Sequence, residues 1–179
     1  MATPIFNFEK SMQVVLYIAN RLTRTDFHKI FKIIYFADQA HLSEYGRPIS
    51  GDVYVAMKDG PVPTKIYDIF KAVRGDSFFS NQADRFTPFF EVKSNYFIEP
   101  KKEADLDYLS ESDIEILEAT LSTYADMPWG EIKERSHDYA WRNTSRDRAI
   151  LLSDIMLENG DDEDYIEYIE TQIALQQSF

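Results

Sequence analysis

The most constraining feature of this chain is an amphipathic helix that carries an acid and a histidine on its apolar face. Apolar residues recur at steps of three and four over residues 27–45, a period typical of a helix buried along one side. Asp38 and His41 are three residues apart, so they are neighbours on that buried stripe. A buried, unpaired carboxylate is costly, and the nearest candidate partners of Asp38 are His41 and Arg47. The helix therefore predicts a polar cluster of these three residues inside the fold.

Two glycine and proline corners follow this helix and are expected to redirect the chain. Gly46 can supply the left-handed residue that ends the helix, and a proline two residues later prevents its continuation. Gly60-Pro61 is expected to break the strand-like run 53–57, and Pro63 suits the first turn of a further helix. These corners predict a compact turn architecture around the helix rather than a catalytic loop.

The helix and its two corners together resemble the core motif of the Panacea domain family, which comprises SocA-like antitoxins and phage-associated GepA-type proteins. The matching residues are Ile34, Tyr35, Phe36, Ala37, Asp38, His41, Leu42, Gly46, Arg47, Pro48, Ile49, Gly51, Asp52, Tyr54, Ala56, Gly60, Pro61, Val62, Pro63, Ile66 and Tyr67. A looser similarity reaches a second motif, His137 and Trp141, so the resemblance covers about residues 8 to 150. A match this dense is far more specific than a lone glycine motif.

The resemblance implies an antitoxin that neutralises a cognate protein toxin by direct binding, with the toxin encoded by the adjacent gene. Such a pair forms a toxin–antitoxin system of the kind linked to phage defence. Some members of the family resemble adaptors that deliver a toxin to a AAA+ protease, so that alternative stays open. We interpret the motif residues as scaffold rather than contact surface: Asp38, His41, Arg47, Asp52, Tyr54, Gly60, Pro61 and Pro63.

Composition and pattern predict one mainly helical α+β domain over residues 1–179, with its core motif at 27–70 and a small antiparallel sheet. Strand-like runs occur at 53–57, 89–93 and 96–98, and the last two form a predicted hairpin. The content of 44% hydrophobic and 15% aromatic residues indicates a folded globule. No apolar run is long enough for a membrane span and no signal-peptide pattern begins the chain, so we expect a cytoplasmic protein.

The second half of the chain contains further helices and aromatic clusters. Ser110 and Asp113 form a capping box at the start of a helix. Its predicted buried stripe comprises Ile114, Leu117, Leu121 and Tyr124. Residues 75–88 are expected to form a loop whose Phe78, Phe79 and Phe86 pack back onto the body, with an exposed aromatic patch as the alternative. For His137 and Trp141 we expect a hydrogen-bonded histidine beside a core indole, with a binding role as the alternative.

The net charge of -12 is carried entirely by the second half of the chain. Residues 1–100 contain 12 Lys and Arg against 11 Asp and Glu, whereas residues 101–179 contain 7 against 20. Such an acidic field repels nucleic acid and attracts basic partners. The alternative is a solvated acidic face that only aids solubility.

A C-terminal helix over about residues 162–176 carries both an apolar and an acidic face. The apolar face comprises Tyr165, Ile166, Ile169 and Ile173, and it suits either docking on the same domain or gripping by a toxin. The candidate partner-binding residues are Glu163, Tyr165, Glu167, Tyr168 and Glu170. We therefore expect the toxin to be held by the acidic helical half, residues 101–179.

Several kinds of chemistry find no support in the sequence. The three histidines are dispersed, and the single Asp38–His41 step lacks the extra carboxylates of a metal site, so no metal is predicted. Cysteine is absent, and neither a serine elbow, a P-loop nor a dinucleotide motif occurs, so we expect a non-enzyme without cofactor. The opening helices and later hairpin could be read as a winged-helix regulator, but no basic stripe supports binding to nucleic acid. The oligomeric state stays open.

Overall fold

Helix α2 (Phe27–Tyr45) is the centre of the fold in this computed structural model, which describes residues 2–76 and 80–177. Fourteen of its 19 residues are buried, many more than one apolar stripe would require. The Asp26 carboxylate caps its first turn, accepting a hydrogen bond from the backbone N–H of Lys29 at 3.0 Å. The helix ends at Gly46, whose φ of 70° is left-handed, so the predicted bounds and terminator are confirmed.

The remaining helices surround α2. They are α1 (Phe8–Ala19), α3 (Thr64–Arg74), α4 (Glu111–Tyr124), α5 (Trp129–Ser136), α6 (Tyr139–Arg142), α7 (Leu152–Glu158) and α8 (Glu163–Gln176). Short 3₁₀ helices lie at Ser80–Arg85 and Leu106–Tyr108. Among the described residues, none of these helices is both long and apolar enough to cross a membrane.

Two antiparallel hairpins complete the architecture of the described residues. Strand β1 (Tyr54–Met57) pairs with β2 (Gly60–Pro63), and β3 (Phe90–Lys93) pairs with β4 (Phe97–Pro100). The second hairpin is the predicted one, shifted by one or two residues. The fold is therefore a mainly helical α+β domain, as the sequence predicts.

The strand-like run ends at Met57 as predicted, but Gly60-Pro61 also begin the second strand of a hairpin, which the sequence did not predict. Gly60 has a φ of 107°, which lets the chain reverse after a two-residue turn and pair Ala56 with Pro61. Proline is tolerated here because β2 is an edge strand. The other edge of β1 is covered by the segment around residue 149. The Ala56 N–H donates to the Arg148 carbonyl, and the Ile150 N–H donates to the Tyr54 carbonyl.

The buried core continues from α2 into α4 and α8. The capping box at Ser110 and Asp113 is present, but the predicted α4 stripe needs a correction, because Ile116 is buried while Ile114 and Tyr124 are only half-buried. Phe86 packs into the core at 5% exposure, and the predicted loop there is partly a 3₁₀ helix. Phe78 and Phe79 lie outside the described residues.

Candidate functional site

The Asp38 carboxylate is satisfied entirely by the segment that follows α2. It accepts hydrogen bonds from the backbone N–H groups of Ile49 at 2.8 Å and Ser50 at 2.9 Å. The hydroxyls of Ser50 and Tyr54 donate to its other oxygen, the latter at 2.7 Å. The predicted pairing of Asp38 with His41 and Arg47 is therefore wrong, because the chain turning back at the first corner brings closer donors.

His41 and Arg47 instead meet the carboxylate of Asp113 at the start of α4, a residue that the sequence indicated only as part of a capping box. The His41 Nε2 lies 3.2 Å from Asp113 Oδ1, and the Arg47 Nη1 lies 3.1 Å from the same oxygen. Lys10 contacts the other oxygen at 2.6 Å, and the backbone N–H of Ser110 donates to it at 2.8 Å. We call these five residues the Asp113 cluster; it joins α1, α2 and α4.

The Asp113 cluster holds a charged carboxylate in the protein interior. Burial alone would raise the pKa of the Asp113 carboxyl, but hydrogen bonds from His41, Lys10 and Ser110 hold it far below its usual range. The His41 Nδ1 lies 2.7 Å from the Arg47 carbonyl oxygen, so this nitrogen is the donor. The cluster thus satisfies both oxygens of the buried Asp113 carboxylate, while the Arg47 side chain stays 42% exposed.

The other motif residues serve the hairpin and the start of α3. The Asp52 carboxylate accepts from the backbone N–H groups of Lys65 at 3.0 Å and Ile66 at 2.9 Å, capping α3 where Pro63 has no side chain to do so. A Cβ on Gly60 would lie 2.4 Å from the Ser136 hydroxyl. These placements agree with the interpretation of the motif as scaffold.

Two lysines on α2, three residues apart, are both buried but differ in how their charge is satisfied. The Lys29 ammonium donates to three carbonyls beyond the end of α4, those of Tyr124 at 3.2 Å, Ala125 at 3.0 Å and Met127. The Lys32 ammonium, with 0% exposure, donates to a single acceptor among the described residues, the Pro61 carbonyl at 2.8 Å. Burial lowers the pKa of Lys32 to about 7. An ammonium has three donors, so Lys32 keeps unused capacity.

His28, one turn before Lys32 on α2, also carries an unused ring nitrogen. The His28 Nε2 lies 3.2 Å from the Asp59 carbonyl oxygen and so donates, which leaves its buried Nδ1 without a partner among the described residues. Burial lowers the pKa of His28 to about 4. The His28 ring packs against Trp129 with centroids 4.9 Å apart. A neutral imidazole with a free acceptor is the consequence.

The second motif forms a stack rather than a hydrogen-bonded core pair. The His137 and Trp141 rings are 3.8 Å apart at an angle of 6°, and the indole N–H donates to the Met57 carbonyl at 2.9 Å. The prediction of a hydrogen-bonded His137 is wrong for its Nε2, which is buried without a partner among the described residues, and Trp141 is only half-buried. The stack fixes α6 against the β1–β2 hairpin.

An open groove lies beside the first half of α2, and no sequence pattern indicated it directly. Its volume is about 640 Å³, within the range typical of binding sites. We call it the α2 groove, and the side chains that matter most to its character are Phe31, Lys32, Lys58, Tyr67, Tyr96 and Trp129. The one indication in the sequence was the presence of two lysines, Lys29 and Lys32, on a helix that is otherwise largely apolar there.

The predicted partner-binding residues on α8 divide between the interior and the surface. Ile166, Ile169 and Ile173 are buried, so the apolar face of α8 docks on its own domain. Tyr165 is half-buried and its hydroxyl donates to the Ser43 carbonyl at 3.1 Å, while Glu170 is also half-buried. The exposed candidates are Glu163, Glu167 and Tyr168. The free surface of α8 is therefore its acidic face.

Metal binding receives no geometric support within residues 2–76 and 80–177. No group of three or more His, Cys, Asp or Glu side chains there could hold an ion. The carboxylate beside His41, that of Asp113, is occupied by Lys10 and Arg47.

Comparison with known protein families finds a match to the family described as Antitoxin SocA-like, Panacea domain, over residues 30–142. Comparisons with curated proteins and with solved structures find no match. The matched region contains most of α2, the first corner, both hairpins and α4, whereas α8 lies beyond it. Because the match spans more than half of the chain and coincides with the scaffold described above, the chain belongs to the SocA-like antitoxin, Panacea domain family.

Proposed function

We propose that this chain neutralises a cognate protein toxin by direct binding, and that the acidic face of α8 is the main contact surface. The observation that carries this proposal is Tyr168, which is 58% exposed in the middle of an acidic helix. Residues 161–170 contain six carboxylates and no Lys or Arg. An exposed tyrosine in such a field combines a hot-spot side chain with long-range attraction for a basic partner.

The mechanism is steric and electrostatic. A basic toxin surface is drawn to the acidic half of the chain, and complementary charges raise the rate of encounter more than the final affinity. Tyr168 and Leu175, which is 50% exposed, are seven residues apart on α8 and so lie on one side of the helix. These two side chains supply apolar contact area, and the bound antitoxin covers the working surface of the toxin.

The proposal is tested by co-expressing the gene adjacent to this one with and without this chain and scoring growth. We expect the neighbour to be toxic alone and harmless with the wild-type chain. The double variant Glu167→Lys/Tyr168→Ala should lose protection, because it removes the exposed aromatic and reverses a charge without touching the buried face of α8. Deleting residues 161–179 is less informative, since it also removes Ile166, Ile169 and Ile173 from the core.

The matched control is Glu103→Lys/Tyr108→Ala, which makes the same two changes at exposed positions in the acidic half but away from α8. It should protect like the wild type. A neighbour that is harmless alone contradicts the antitoxin proposal, and equal loss in both double variants contradicts the role of α8. The half-life of the toxin in cells distinguishes an antitoxin that blocks the toxin surface from an adaptor that delivers the toxin to a protease. Only the adaptor shortens the half-life.

A further inference from the structure

The α2 groove carries an excess of positive charge inside an acidic protein. Three acids line it, and each is paired with a basic side chain. Asp26 binds Arg24 at 2.8 Å, Asp59 binds Lys133 at 2.8 Å, and Asp147 lies 3.7 Å from Arg146.

Two further cations of the groove have no such partner. Lys32 and Lys58 line it and form no ion pair with any described residue. Lys58 is exposed at the turn of the β1–β2 hairpin, whereas Lys32 lies behind the wall with 0% exposure. Burial lowers the pKa of Lys32 to about 7, so its side chain is charged mainly below neutral pH. When it is protonated, Lys32 biases the groove toward anions without touching them, because a buried charge in low dielectric acts over a longer range than a solvated one.

The rim of the groove has the composition of a protein-binding surface. Tyr96 is 59% exposed on the β3–β4 turn, and Trp129 is 45% exposed at the start of α5. Between them, the floor is apolar, with Phe31 packed against Tyr67 at 5.4 Å between ring centroids. Exposed aromatic anchors around an apolar floor are the side chains that dominate binding energy at protein interfaces.

We propose that the α2 groove docks a short segment of a partner protein that presents an Asp or Glu carboxylate next to a large apolar side chain. The apolar side chain sits between Tyr96 and Trp129, and the carboxylate lies near Lys58 within the field of Lys32. The charge complementarity is opposite to that of the α8 face, so the two surfaces select different partner chemistry. The site goes beyond the proposed function and does not depend on it.

The position of the groove makes it independent of α8. The groove follows α2 from Phe27 to Lys32, whereas Tyr165 of α8 contacts Ser43 near the other end of the same helix. At the rise of an α-helix, Lys32 and Ser43 are about 16 Å apart along the axis. A partner segment in the groove and a basic surface on α8 can therefore be held at the same time.

The experiment uses the full chain and a phage-displayed library of random 12-residue peptides. The peptides enriched on the wild-type chain should share an acidic residue beside Trp, Phe or Leu. The binding of a selected, synthesised and labelled peptide is then measured by fluorescence polarisation. We expect Trp129→Ala and Lys58→Glu each to weaken it at least tenfold, because the first removes an anchor and the second reverses the free charge.

Two controls keep the test specific. Lys101→Glu is the same charge reversal at an exposed lysine outside the groove, and Tyr168→Ala removes an exposed aromatic from α8, so both should bind the peptide like the wild type. Absence of enriched peptides, enrichment of basic peptides, or equal loss in the Lys101→Glu control overturns the proposal. A further test is competition with phenyl phosphate. The proposal is also overturned if phenyl phosphate displaces the peptide from the wild type while the Trp129→Ala variant still binds the peptide.

Discussion

The C-terminal end of helix α2 satisfies its buried charge, whereas near the N-terminal end Lys29 is fully bonded but Lys32 and His28 are not. At its C-terminal end, the Asp113 cluster surrounds one carboxylate with Lys10, Arg47, the His41 ring and a backbone N–H, and Asp38 nearby has four donors. At its N-terminal end, Lys32 has one acceptor and His28 has a free ring nitrogen, beside an open groove. Charged groups whose hydrogen bonds are all made within the protein stabilise the fold. Groups with unused donors or acceptors can still bind a ligand.

This contrast separates the family signature from the binding surfaces. The acidic and histidine residues that identify the motif are saturated and hold α1, α2, α4 and the first hairpin together. The groove and the α8 face use residues that a motif search does not select, such as Lys58, Trp129 and Tyr168. A motif can therefore identify a fold very well while saying little about where its partner binds.

The largest expected effect is at the saturated end. Asp113→Asn should lower the free energy of unfolding by about 3–5 kcal/mol, because it leaves the largely buried Lys10 ammonium without its counter-charge. Since the folded-state pKa of Asp113 is depressed, its contribution is present above the ordinary value of 3.8 and is lost as the pH falls below it. Urea unfolding at neutral pH measures the change.

The control for Asp113 is Glu111→Gln, an exposed acid in the same first turn of α4. It should cost less than about 1 kcal/mol, as expected for a solvated charge near a helix N-terminus. An equally small effect at Asp113 would contradict the distinction between the two ends of α2.

The next largest change in the free energy of unfolding has the opposite sign and concerns Lys32, near the N-terminal end of α2. Lys32→Met should leave stability unchanged or raise it by about 1–4 kcal/mol, because a poorly compensated buried charge is replaced by an apolar chain of similar length. Burial lowers the folded-state pKa to about 7, against 10.5 in the ordinary state. The cost of the charge is therefore full below pH 7 and fades as the pH rises toward 10.5.

The measurement is the difference in unfolding free energy between the Lys32→Met variant and the wild type, taken at several pH values from 6 to about 10. Taking a difference removes the contribution of other lysines and tyrosines that titrate in that range. The matched variant Lys29→Met should be destabilising instead, because it leaves three carbonyls without their donor. Destabilisation by both variants to the same degree would remove the contrast between the lysines.

A smaller loss is expected from Tyr54→Phe at the saturated end. The hydroxyl donates to the buried Asp38 carboxylate, and a hydrogen bond to a charged group is worth about 1.5–3 kcal/mol. The control Tyr108→Phe removes a hydroxyl from a tyrosine that is 47% exposed and should change nothing measurable. Thermal unfolding of the two variants side by side is sufficient, and indistinguishable midpoints would contradict the assignment of Asp38 as a structural hub.

The local elements of this fold follow from the sequence, whereas its contacts do not. The periodicity of α2, the left-handed Gly46 and the Ser110–Asp113 capping box are interactions within a few residues, so local patterns predict them. The partners of His41 and Arg47 lie more than sixty residues away, and sequence spacing favoured the nearer Asp38.

The α2 groove could not be predicted from the sequence, because it too depends on contacts between distant parts of the chain. Whether a lysine such as Lys32 is solvated or buried depends on the hairpin that closes over it, and Gly60 permits that closure because its missing side chain leaves room for the ammonium. The acidic face of α8 was predicted in part, because charge can be read from the sequence. The burial of its isoleucines, which decides which face stays free, required the folded domain.

The most direct test of the account is the dissociation constant between this purified chain and the purified product of the adjacent gene, measured by calorimetry for three forms. The account predicts a direct complex with the wild type, at least tenfold weaker binding by Glu167→Lys/Tyr168→Ala, and unchanged affinity for the folded Tyr54→Phe variant. A neighbour that does not bind the wild type, or an affinity that falls equally in the α8 and Tyr54→Phe variants, would contradict neutralisation through the α8 face.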